Sequence, residues 1–146
     1  MAIWSYLVFA LLAGAMLPIQ FGINAQLAEW LGGSVRAAFV SFLVGAAALL
    51  VAVLVAARGW PTRAGDAPWW AWTGGLLGAF YVLGSIVTAP KLGAATLVAL
   101  ILAGQASASL LVDHFGWVGF EEHPITLVRV LGVALLAGGV ALVRLS

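Results

Sequence analysis

Cysteine is absent from this chain of 146 residues, which excludes disulfides, thiolate metal sites and cysteine nucleophiles. Charge is nearly as scarce. Asp, Glu, Lys and Arg make up 8% of the residues, against roughly 25% in a typical soluble domain. A soluble protein of this length has too much surface to cover with so few charged groups. The formal net charge is only +1 and no basic patch exists to neutralise phosphates, so nucleic acid is excluded as a partner. Met1 to Leu7 contain no Lys or Arg. The positive region of a cleaved secretion signal is therefore missing, although Ala13-Gly14-Ala15 would fit a cleavage site. His123 has no second ligand at useful spacing, and neither a metal nor any other cofactor is expected. Internal repeats and low-complexity tracts are also lacking.

What is present is hydrophobic: 64% of the residues. Apolar stretches of about 20 residues, the length that crosses a bilayer, recur along the chain. They predict an all-α membrane protein of five transmembrane helices, forming a single transmembrane domain over 1–146. The spans fall at about 3–30, 34–57, 69–89, 94–115 and 125–145. Gly32-Gly33 ends the first. The run from Arg58 to Pro68 is the one long polar loop. Pro90-Lys91-Leu92-Gly93 reads as a tight turn, with Pro90 unable to continue a helix. Pro124 suits the first turn of the fifth helix. Trp4, Trp30, Trp60, Trp69, Trp70 and Trp117 all lie near span ends, where indole rings favour the headgroup level. The first span is overlong: its residues would extend roughly 42 Å, against a hydrocarbon core of about 30 Å. With Pro18 and Gly22 inside it, a kink or local break is expected, with its polar end (Gln20, Asn24, Gln26, Glu29) running into the interface.

An odd number of spans places the termini on opposite sides of the membrane. Arg58, Arg63 and Arg129 then fall on the N-terminal side, and Arg36, Lys91 and Arg144 on the other. The positive-inside rule needs an imbalance, and here there is none. Either an unseen factor fixes one orientation, or copies insert both ways and pair antiparallel. The small size, odd count and balanced charge favour the second reading. Such a pair would form a ten-helix bundle with the inverted-repeat architecture of secondary transporters.

Several runs bear a family resemblance. The segment Leu17-Pro18-Ile19-Gln20-Phe21-Gly22-Ile23-Asn24-Ala25-Gln26-Leu27 resembles the first-helix motif of the YdcZ-type family within the drug/metabolite transporter superfamily. Ser41-Phe42-Leu43-Val44-Gly45 and the run from Trp69 to Val82 resemble its second and third helices. Ala89-Pro90-Lys91-Leu92-Gly93-Ala94-Ala95-Thr96, Ala103-Gly104-Gln105 and Asp113-His114-Phe115-Gly116 complete the likeness over nearly the whole chain. The resemblance implies a five-helix bacterial inner-membrane protein described as an exporter. It also implies kinship with the small multidrug resistance transporters, which pair antiparallel. Those proteins couple to protons through a buried Glu in the first helix. Here the middle of that helix carries amides instead.

Polar side chains in hydrocarbon are costly and usually face a cavity or a partner helix. Candidate substrate-binding residues form stripes at helical spacing. Gln20 and Asn24 follow Pro18, and their amides suit a neutral or zwitterionic ligand. The competing reading makes them packing glue between helices. Tyr81 and Ser85, with Thr88, share a face of the third helix, and the Tyr81 ring could stack on a cation. The small hydroxyls could equally bond their own helix. Gln105 and Ser109 share a face of the fourth helix with Asp113. Glu29 and Asp113 are the acids available for proton coupling, Asp113 standing beside His114 and otherwise read as an interfacial acid. Arg129 either snorkels to the nearer surface or pairs with Asp113 or Glu121. Gly74 and Gly78, Gly104 with Ala108, and Ala134 with Gly138 repeat the small-xxx-small spacing of close helix packing. The fifth helix, poor in polar groups, is assigned to a dimer interface or the lipid face.

Two functions compete. One is a small secondary transporter, exporting small organic molecules by alternating access as an antiparallel dimer with itself or a paralogue. The other is a non-transporting subunit or regulator of another membrane protein. An enzyme is not expected: Ser109 and His114, five apart, do not face each other on a helix, and no nucleophile motif surrounds either.

Overall fold

The computed structural model describes residues 3–56 and 64–145. Ala57, at the expected end of the second span, and Arg58, Trp60 and Arg63 in the polar loop lie outside the described residues. All the regular structure among the described residues is helical. Helix α1 is Ile3–Trp30, α2 Ser34–Ala56, α3 Gly74–Leu92, α4 Ala94–Phe115 and α5 Leu127–Leu145. One turn of 3-10 helix, Trp69–Thr73, leads into α3. Five helices are long and apolar enough to cross a membrane. Their large apolar side chains are mostly exposed, Phe9, Leu54, Phe80 and Leu135 among them. In water such a surface would aggregate; in a bilayer it meets lipid tails of the same polarity.

The helices differ from their sequence-based outlines in three places, each with a local cause. Helix α1 is continuous from Ile3 to Trp30 with Pro18 inside it. The residue four before Pro18 is Gly14, whose carbonyl loses its usual N–H donor. Helix α3 passes through Pro90 and stops at Leu92. The stop is made by Gly93, whose φ of 76° and ψ of 158° lie where only glycine is comfortable. Helix α5 begins at Leu127, past Pro124. Thr126 caps it: its Oγ1 accepts the Arg129 N–H at 3.3 Å, as an N-cap hydroxyl does.

The chain divides into two compact units, one up to Lys91 and one from Leu92. In the first, α1 and α2 form a tight antiparallel hairpin. Gly33 N–H donates to Ala28 O and Gly32 N–H to Glu29 O, with Gly32 at φ 66°. That is a Schellman cap, which satisfies the last carbonyls of α1. The Arg36 guanidinium adds a hydrogen bond to Leu31 O at 2.9 Å, placing a cation at the negative end of the helix. The core of the unit is small. Ala37 and Ala38 of α2 pack with Val82 and Ile86 of α3, with Leu27, Ala28, Tyr81 and Leu83 around them. The two alanines keep α2 thin where it meets α3. Further along, Gly78 lies against the Phe42 ring, to which an added Cβ would approach within 3.4 Å.

In the second unit α4 and α5 pack as a hairpin. Helix α4 ends on Gly116, left-handed at φ 59°, whose N–H returns to Val112 O. Helix α5 has no buried residue. An added Cβ at Gly74, Gly104 or Gly138 would meet nothing within 4 Å, and Ala134 borders a shallow apolar groove between α4 and α5.

Candidate functional site

The first unit contains the polar groups that are hardest to explain as packing. Asn24 of α1 is only 3% exposed, and its Nδ2 has no hydrogen-bond partner among the described residues. The Tyr81 hydroxyl of α3 is likewise buried and unpartnered. A buried donor left without a partner costs about 1–3 kcal/mol, so native proteins rarely keep one without a use for it. The two residues belong to facing stripes. Phe21, three positions before Asn24 and almost fully buried, meets the Tyr81 ring edge-on at a centroid distance of 6.1 Å. Ser85, four positions after Tyr81, is also buried. Its hydroxyl donates to Val82 O at 2.7 Å, so its donor is used within its own helix. Thr88 does the same with Gly84 O.

The other candidates are placed differently. Gln20 is half-buried on α1, one position before Phe21. Gln105 and Ser109 belong to the second unit and are exposed on α4. Glu29, in the last turn of α1, is exposed and lines a groove with Lys91. Asp113 is engaged: its Oδ2 accepts from Arg129 Nη2 at 2.7 Å across the α4–α5 hairpin. Of the partners the sequence offered Arg129, Asp113 is the one it pairs with. Its Nη1 also donates to His123 O at 3.2 Å, and His123 N–H donates to Asp113 O at 2.8 Å. Ile125 N–H lies 3.4 Å from His114 Nδ1. Asp113, His114 and His123 are thus tied into the connection between the two helices. Among the described residues, no three His, Asp or Glu come together as a metal site.

Two residues escaped the reading of the sequence. Phe21 looked like one more apolar residue, though its three-residue spacing from Asn24 puts it on the same stripe. Lys91 was read as part of a turn because Pro90 was taken as a helix end. Once α3 continues to Leu92, Lys91 stands on its last turn.

A family profile described as "Putative inner membrane exporter, YdcZ" matches residues 5–142. The chain belongs to this family. It is similar to the inner membrane protein YdcZ of Escherichia coli (strain K12), with 29% identity over 129 residues that cover 86% of this chain and 83% of that protein. No solved structure matches the chain. Membership of the YdcZ family, with five helices apolar enough to span, makes this a multi-pass inner-membrane protein. The family is described as one of exporters and not as one of enzymes.

Proposed function

We infer that this protein is a small secondary transporter that exports small organic molecules, amphiphilic or cationic in character. It works as an antiparallel pair, with itself or with a paralogue, by alternating access about a midplane site. The observation that carries this reading is the buried Asn24 amide, unpartnered among the described residues and on the α1 stripe whose Phe21 meets Tyr81 of α3. An amide that only glued helices together would find its hydrogen bond within the fold. A donor left open suits a ligand that comes and goes. Asn24, Tyr81, Ser85 and Gln20 form the binding surface of the first unit; Gln105 and Ser109 are separate polar candidates on α4 of the second unit. In the pair, the small-residue faces of α3, α4 and α5 at Gly74, Gly104 and Gly138 are open for a second copy. Of the two acids assigned to coupling, Asp113 is held by Arg129, and Glu29 has no ion pair among the described residues, so Glu29 is the better candidate for coupling.

The test is flux. Purified protein in liposomes is screened against organic cations, polyamines and small metabolites, with and without a pH gradient. Substrate-dependent flux that Asn24→Ala abolishes supports the reading. No flux, with strict co-purification of one larger membrane protein, supports the subunit role instead.

A further inference from the structure

A groove of about 370 Å³ opens at the end of the first unit where α1 turns into α2. Its α1 wall carries Ala25, Ala28 and Glu29, and its α3 wall carries Ile86, Pro90 and Lys91. Glu29 and Lys91 line the same small space, yet neither side chain makes an ion pair or a hydrogen bond among the described residues. Pro90 has no N–H to give to the Ile86 carbonyl, which therefore lacks its usual helical donor. The groove thus sets an acidic and a basic residue beside the apolar Ala25 and Ile86. Trp30, next to Glu29 and 87% exposed, marks this end as headgroup level. Ala28 lies one helical turn beyond Asn24, on the same stripe. The groove therefore opens onto the face that carries the buried amide.

We propose that this groove binds a small zwitterion, its ammonium on Glu29 and its anionic end on Lys91. A simple cation would meet Lys91 unpaired, and a simple anion would meet Glu29. Only a molecule bearing both charges pairs both walls with charge-assisted hydrogen bonds. The volume is in the range of small-molecule sites. Two sources share this chemistry: a free amino-acid-type zwitterion, and the ethanolamine phosphate headgroup of a phospholipid. The first narrows the transported class from cations to zwitterions and rests on the transport reading for translocation; binding itself does not.

The experiment uses the full-length protein. In detergent, glycine, γ-aminobutyrate and aminohexanoate are titrated by calorimetry beside the amine and the carboxylate of matching length. In parallel, retention of phosphatidylethanolamine against phosphatidylglycerol is read by native mass spectrometry. A zwitterion bound at least about tenfold more tightly than its matched amine and carboxylate is expected in one arm. Selective phosphatidylethanolamine retention without binding of the free compounds assigns the headgroup instead. In either arm Glu29→Gln and Lys91→Gln each weaken binding about tenfold or more. The double exchange Glu29→Lys with Lys91→Glu restores it, because the ligand can reverse. Amines that bind as well as zwitterions, or binding indifferent to both residues, overturn the proposal. Liposome flux separates the two readings: flux insensitive to Glu29 and Lys91 leaves transport standing without the groove, and groove binding of a compound that is never moved does the reverse.

Discussion

The Asp113 carboxylate and the Arg129 guanidinium meet at 2.7 Å, joining the last turn of α4 to the first turn of α5. Each side chain is about a quarter to a third exposed, so the pair lies between the surface and buried limits. It is also cross-braced, since Arg129 and Asp113 both bond the backbone of His123. Removing one partner leaves the other charge uncompensated at the edge of an apolar hairpin. Asp113→Asn and Arg129→Gln should each destabilise the protein, by about 1–2 kcal/mol. The double variant should lose less than the two singles together. Thermal unfolding of the purified protein in detergent reads the difference, and strict additivity would mean the pair contributes nothing beyond its separate members.

The Tyr81 hydroxyl gives a cleaner separation of structure from function. Buried and unpartnered, it contributes no hydrogen bond to the fold, and its removal relieves a desolvation cost. Tyr81→Phe should therefore leave the melting temperature unchanged or raise it. If the hydroxyl serves the ligand, the same variant should lower flux about tenfold, the worth of one hydrogen bond at a site. A loss of stability without loss of flux would place Tyr81 in packing alone.

Gly93 makes a third prediction from backbone geometry. At φ 76° and ψ 158° it occupies a region that side-chain-bearing residues avoid. An added Cβ would meet nothing within 4 Å, so any penalty for Gly93→Ala is conformational and not steric. The expected cost is about 1–3 kcal/mol, read as a lower unfolding midpoint. Leu92→Ala, half-buried one residue earlier, serves as a control for general disturbance of this turn.

These sites show which parts of the molecule were legible in its sequence. The five spans were, because hydropathy acts over about 20 residues and no soluble alternative fits 8% charge. The hairpin turn at Gly32-Gly33 was legible from glycine alone. The course of α3 past Pro90 was not, because proline removes one hydrogen bond near a helix end without forbidding a further turn, and only Gly93 stops it. Stripes such as Gln20–Asn24 and Tyr81–Ser85 follow from spacing. That Phe21 would bring two of them face to face depends on how α1 and α3 pack, which periodicity within one helix does not encode. The groove with Glu29 and Lys91 was hidden for the same reason: its walls come from residues about 60 positions apart in a chain where local pattern is all that spacing can read.

Antiparallel pairing of the chain with itself, as proposed, predicts a measurable mixture of orientations. Arg58, Arg63 and Arg129 balance Arg36, Lys91 and Arg144 if the spans alternate, and the positive-inside rule then gives no preferred direction. C-terminal fusions to alkaline phosphatase and to green fluorescent protein, active on opposite sides of the membrane, should both report. The balance should also be easily tipped. Arg144→Ala removes one charge near the end of α5, and a lysine added there supplies one, so the ratio of the two signals should move in opposite directions in the two variants. A mixture that follows single charges in this way supports copies inserted both ways. A one-sided signal that no single charge shifts would exclude pairing with an inverted copy of itself, and would leave an oppositely oriented paralogue as the remaining antiparallel partner.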